Sequence, residues 1–89
     1  MDHKRRTALI TGSGQMIGRG IALRLAEAGF NINLNGSKNA DACEAVAEEL
    51  TAFGVDTLIA MGNVGVKADT SQIIKAGIDK FGSIDVLVN

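Results

Sequence analysis

TALITGSGQMIG, Thr7 to Gly18, is the stretch on which the fold turns. Thr7-Ala8-Leu9-Ile10 is a short apolar run stopped by glycine, which reads as a buried strand. Glycines follow at 12, 14 and 18. From Ile17 onward, Ile17, Ile21, Leu25 and Ala28 recur at helical spacing, and Gly29 is placed to end the helix. A glycine-rich turn between strand and helix meets two physical needs. The backbone can bend sharply, and its N–H groups at the helix N-terminus can come close to an anion such as a pyrophosphate. Gly12 supplies the bend, Gly14 lets the backbone approach a ligand, and Gly18 lets helix and strand pack closely, a small-residue face that Ala22 extends. Ser13, Gln15, Met16 and Ile17 complete the segment, so residues 12–18 are the expected nucleotide-binding turn. Its last gap is one residue longer than in the usual dinucleotide fingerprint.

The alternation continues along the chain. Ile32 and Leu34 mark a second strand, closed by Asn35-Gly36-Ser37. A second helix is predicted from about Asn39, with Cys43, Val46, Leu50 and Phe53 inward, Asp41, Glu44, Glu48 and Glu49 outward, and Gly54 as its stop. Thr57 to Met61 reads as strand three. The third helix is predicted from about Asp69, burying Ile74, Gly77, Ile78 and Phe81, and Ile84 to Asn89 forms strand four. This βαβαβαβ rhythm is that of a parallel sheet with right-handed crossovers. For an α/β, doubly wound parallel sheet the expected strand order is 3-2-1-4, with the carboxyl ends of strands one and four flanking the crevice where such sheets bind ligands. Asn89 lies at that edge.

Composition narrows the function classes. The 89 residues are at most one domain, 46% hydrophobic, with no Trp, Tyr or Pro. A net charge of −1 gives no reason to expect nucleic acid or an anionic membrane as partner, and Lys4-Arg5-Arg6 reads as a solvated tail rather than a basic address. No apolar run approaches a membrane span or a secretory signal, and the lone cysteine fits a reducing, cytoplasmic setting. Cys43, at helical spacing with Val46 and Leu50, is expected to be a small buried side chain. His3 has no second ligand at metal-binding spacing, so no metal site is expected.

The turn also resembles a family. Thr-Gly-Ser-Gly-Gln-Met-Ile-Gly is similar to the Thr-Gly-x-x-x-Gly-x-Gly turn of the short-chain dehydrogenase/reductase family, with Thr11 and Gly12 matching its opening and Gly18 its last glycine. Met16 stands where that pattern has its middle glycine. Ile-Asp-Val-Leu-Val-Asn, residues 84–89, resembles the family's fourth strand, which leads into Asn-Asn-Ala-Gly, with Asn89 as the first of these. Asn63-Val64 aligns with its Asp-Val pair at the adenine ring. The resemblance implies a Rossmann-like fold and a nicotinamide dinucleotide cofactor. It also implies hydride transfer to or from a small-molecule carbonyl or secondary alcohol, and a homo-oligomeric full-length protein. The kind to expect is a 3-oxoacyl thioester reductase or a 3-hydroxy acid dehydrogenase. It covers the whole chain, but only the N-terminal, cofactor-binding part of the family.

NAD sites usually carry Asp or Glu at the tip of strand two, about 20 residues past the glycines. Here the tip is Asn35-Gly36-Ser37-Lys38, with no acid before Asp41. The Ser37 hydroxyl and the Lys38 charge suit a 2′-phosphate, so NADP is expected over NAD. Against this, Asn-Leu-Asn-Gly resembles the loop of NAD-dependent 3-hydroxybutyrate dehydrogenases, and the same residues also serve as a plain solvated turn. The resemblance places catalysis on a Ser, a Tyr and a Lys four residues beyond that Tyr, and this chain has no Tyr. No catalytic residue is therefore assigned. Residues 1–89 are expected to be the cofactor-binding part of a longer polypeptide, alone neither catalytic nor stably folded. The alternative is a nucleotide-binding module without catalysis, or a doubly wound domain for S-adenosylmethionine.

Overall fold

In the computed structural model, which describes residues 5–14 and 16–89, β1 (Thr7–Ile10) is an inner strand of the sheet and every one of its residues is buried. His3, Lys4 and Gln15 lie outside the described residues. The chain continues through α1 (Met16–Glu27), β2 (Asn31–Leu34), α2 (Ala40–Leu50), a 3-10 turn at Thr51–Phe53, β3 (Thr57–Ile59), α3 (Lys67–Phe81) and β4 (Val86–Val88). All pairings are parallel and the order is β3-β2-β1-β4, as expected. Leu9 lies between Asn33 and Leu87 in register, so the sheet is level across its two inner strands.

The strand pleat sends alternate side chains to opposite faces. Ala8, Ile10, Ile32 and Leu34 meet Ala22 and Ala26 of α1, Val46 and Leu50 of α2, and Val55. Ile10, Ile32, Leu34 and Leu50 are wholly buried, each contributing about 1.5–3 kcal/mol. Leu9 faces the other way, into a smaller cluster with Ala60 and Ile73 against which Ala76 and Ile84 pack. Helices thus cover both faces, and the sheet is doubly wound. Asn33 is buried on the α3 face, where its Nδ2 reaches the Ile73 carbonyl at 3.5 Å and its Oδ1 has no hydrogen-bond partner. Gly77 passes directly over it; any side chain there would collide with the amide.

Two helices bury a different stripe from the one the apolar spacing predicts. In α1 the buried residues are Gly18, Ala22 and Ala26, while Ile17 is 81% exposed and Ala28 is also exposed. Small residues let the helix axis settle close to β1 and β2. That tilts Ile17, Ile21 and Leu25 over β4, where they line an open apolar groove with Val86 and Val88. In α3 the buried stripe is Ile73, Gly77 and Phe81, leaving Ile74 and Ile78 exposed, and the helix starts at Lys67, two residues early. Phe53 is half-exposed rather than inward, because the 3-10 turn tightens the chain after Leu50. Strands three and four are three residues each, shorter than the apolar runs that contain them.

Candidate functional site

Two clefts open at the carboxyl ends of the strands and share Thr11 and Gly12 as their common wall. Gly12 has φ +63°, a left-handed conformation that a branched side chain would strain. A Cβ on Gly18 would lie 2.5 Å from the Gly12 carbonyl oxygen and 2.8 Å from Ser13 Cα. The first turn of α1 therefore rests on the glycine turn because residue 18 has no side chain. Helix geometry leaves the N–H groups of Met16, Ile17 and Gly18 without intrahelical acceptors, at the positive end of the helix dipole.

The first cleft, of about 490 Å³, lies between the glycine turn, the tip of β2, the start of α2 and the exit of β3. Its lining includes Gly12, Gly14, Ser37, Lys38, Asn63 and Val64, so six of the residues singled out from the sequence converge here. Gly14 faces α2, where a Cβ would sit 3.0 Å from Ala42 Cβ. Ser37 and Lys38 are exposed at the rim, and the ion pairs among the described residues do not involve Lys38. Asn39 caps α2, its Oδ1 accepting from the Ala42 N–H at 3.1 Å. The Asn63 side-chain oxygen accepts from the Gly65 N–H at 2.8 Å, and its own N–H donates to Asp69 at 2.9 Å, which fixes the turn into α3.

The second cleft, of about 450 Å³, is more apolar. Ile10, Met16, Ile17, Gly18, Ile21 and Val88 line it, with Asn89 at its end. Met16 is 86% exposed at its mouth. The Thr11 hydroxyl lies 3.3 Å from both the Val88 carbonyl and Asn89 Oδ1, and the Thr11 N–H donates to Val88 at 3.0 Å, tying the turn to β4.

Ser13 behaves differently from the other residues of its turn. It is fully buried; its N–H and hydroxyl donate to the Asn35 carbonyl at 2.8 and 3.0 Å, and its oxygen accepts from the Asn35 N–H at 2.8 Å. Asn35, 2% exposed, then sends its side-chain Nδ2 to the carbonyls of Ala60, at 2.9 Å, and Gly62, at 3.2 Å. Two carbonyl acceptors demand a donor, which fixes the orientation of the amide. Asn35 was not among the residues the sequence pointed to. The only signal for it is a polar residue at the end of an apolar strand, which also describes an ordinary turn.

Cys43 lies under this cleft, wholly buried. Burial pushes its thiol up, against smaller opposing effects of Ser13 and the Gly14 backbone, which favours the protonated form. Among the described residues no three His, Cys, Asp or Glu side chains gather to hold a metal ion, and no helix is long and apolar enough to cross a membrane.

Comparison with known proteins agrees with this architecture. The sequence profile of the family described as short chain dehydrogenase matches residues 6–89. The 3-oxoacyl-[acyl-carrier-protein] reductase FabG of Staphylococcus epidermidis is 44% identical over 84 residues, covering 94% of this chain and 34% of the relative. An alcohol dehydrogenase from the archaeon Thermococcus sibiricus, solved with 5-hydroxy-NADP, superposes with a TM-score of 0.86 at 30% identity, over 93% of this chain and 35% of that one. YwfH, an NADPH-dependent reductase of bacilysin biosynthesis, gives 0.84 at 31%, over 94% and 35%. The chain spans about a third of the length of these relatives.

Proposed function

The chain belongs to the short chain dehydrogenase family, and on that footing we propose that it forms the cofactor-binding part of a nicotinamide-dependent oxidoreductase acting on a carbonyl or secondary alcohol. The observation that carries this reading is the pair of clefts meeting at Gly12, at the N-terminus of α1 and the carboxyl ends of the strands. A dinucleotide needs that shape: two sites joined across a backbone that can receive a pyrophosphate. In this reading the polar cleft takes the adenosine half and Asn63-Val64 flank the base. The apolar cleft, ending at Asn89, takes the nicotinamide half. Met16, Ile17 and Gly18 offer N–H groups to the pyrophosphate.

NADP is the preferred cofactor in this proposal. Ser37 and Lys38 line the polar cleft, and no Asp or Glu does. A hydroxyl donor and an ammonium suit a 2′-phosphate, whereas a ribose diol would call for a carboxylate. The NADP ligand of the archaeal dehydrogenase and the NADPH dependence of YwfH support this choice, and the staphylococcal relative supports a 3-oxoacyl thioester as the carbonyl. A bound nicotinamide would supply a hydride equivalent; the residues of this chain would hold and orient it, and the Tyr to which the family resemblance gives the proton is not among them. Assembly of the whole protein as a homo-oligomer is part of the same proposal.

Gly12→Val tests the reading in the complete gene product. A branched side chain at φ +63° distorts the wall shared by both clefts. Calorimetry should show NADP binding abolished while circular dichroism still reports a folded sheet. Unchanged affinity would overturn the assignment.

A further inference from the structure

Three loops that are far apart in sequence line the polar cleft, and Asn35 joins them, through its main chain on one side and its side-chain amide on the other. The glycine turn is bound to the tip of β2 by the reciprocal Ser13–Asn35 hydrogen bonds. The tip of β2 is bound to the exit of β3 by the Asn35 amide, through Ala60 and Gly62. A backbone bond from the Gly62 N–H to the Gly36 carbonyl, at 3.0 Å, completes the junction. Both carbonyls that receive the Asn35 amide lie just before Asn63 and Val64, which form the far wall of the cleft.

We propose that Asn35 is the positioning residue of this cleft: its side-chain amide holds the β3 exit against the tip of β2, to which Ser13 ties the glycine turn through the Asn35 main chain, and so sets the width of the site for an adenine nucleotide. The role needs a donor. Asn35 gives two N–H bonds to two carbonyls while buried, where unpaired carbonyls are costly. An aspartate of the same size would direct a carboxylate at those carbonyls and push the β3 exit away; protonated, it regains one donor. A carboxylate at this position therefore cannot serve ribose without dismantling the wall beside it, and discrimination between the cofactors falls to Ser37 and Lys38 further along the loop. The link to nucleotide binding rests on the function proposed above; the clamp itself does not.

The test uses Asn35→Asp and Ser13→Ala in the complete gene product, with amide hydrogen exchange as the readout for the clamp and adenosine 2′,5′-bisphosphate as the probe for the cleft. For Asn35→Asp at pH 8, the Gly62 and Ser13 amides should lose protection relative to the unmodified protein, and the probe should bind at least about tenfold more weakly. At pH 5 both defects should shrink, because a carboxylic acid donates where a carboxylate cannot. A general loss of stability would not follow that pH dependence or confine itself to these amides. Ser13→Ala should give a smaller, pH-independent loss at the same places, and Asn35→Ala, which removes the amide without adding a charge, decides the matter if the aspartate variant does not fold. Unchanged protection at Ser13 and Gly62 in the variants would overturn the clamp. An unmodified protein with these amides protected but no affinity for the probe, NADP or NAD would overturn the function and leave the clamp standing.

Discussion

The two clefts beside Gly12 are built in opposite ways. The polar one is enclosed by backbone commitments: Ser13 to Asn35, Asn35 to Ala60 and Gly62, Asn63 to Gly65, and the Asn39 cap of α2. Its walls come from four different elements, and Ser37 and Lys38 are exposed at its rim. The apolar one rests on exposed side chains, Met16 and Ile17, and on β4, which pairs with β1 on one side only. Hydrogen bonds at fixed distances make the first a shaped site, whereas the second is an apolar surface whose geometry depends on what lies against it. In the function proposed above, selectivity falls to the polar cleft and contact area to the apolar one.

Gly18→Val should break both clefts at once and have the largest effect. The new side chain meets the Gly12 carbonyl and Ser13 Cα, backbone atoms that cannot move aside as a flexible side chain would. Overpacking of this kind costs about 1–3 kcal/mol, and taken from the bound state that is about five- to 150-fold in affinity. Calorimetry with NADP and with NAD should show both weakened, with a lowered Tm. Retained affinity for either would show that the turn does not set the two clefts.

Ser37→Asp should act on one cleft alone. It removes a donor to a 2′-phosphate and adds a like charge, and a bond to a charged group is worth about 1.5–3 kcal/mol. Paired titrations should show NADP weakened and NAD unchanged or improved. Equal losses for both cofactors would place the loop outside phosphate recognition.

Asp85→Asn should touch neither cleft. The Thr7 N–H, then the Ser83 hydroxyl and the Arg6 charge, hold the Asp85 carboxyl below its ordinary value, at the opposite end of β1 from the glycine turn. A carboxylate depressed on folding adds stability above its unfolded pKa of about 3.9 and loses it as pH falls through the lower folded value. Thermal melts should therefore show a small drop in Tm for the variant at pH 7 that closes on acidification, with cofactor affinity unchanged. A deficit that grows in acid would contradict the sign.

Strand order and the location of the turn were legible in the sequence because they rest on local signals. Apolar runs end in glycine, helical spacing follows, and the repeated crossover leaves few topologies open. The stripe of α2, Cys43, Val46 and Leu50, was legible, and so were Gly18, Ala22, Gly77 and Phe81, but not the exposure of the larger residues beside them. Ile17, Ile21 and Leu25 in α1, and Ile74 and Ile78 in α3, are the larger apolar residues at the right spacing, yet Gly18, Ala22, Ala26 and Gly77 occupy the contact because close approach rewards small side chains. Ser37, Lys38, Asn63 and Val64 were found because strand tips in a doubly wound sheet converge at one edge. Asn35 was missed for a specific reason: its partners are main-chain carbonyls of another strand, which leave no trace in residue type.

In the function proposed above, the polar cleft reads an adenine nucleotide by charge at its rim. The most direct measurement is a pair of calorimetric titrations, NADP and NAD into the unmodified complete protein, at low and at high salt. NADP should bind more tightly at low salt, and the gap should narrow as salt screens the exposed Lys38. Equal affinities for the two cofactors, unmoved by salt, would contradict it.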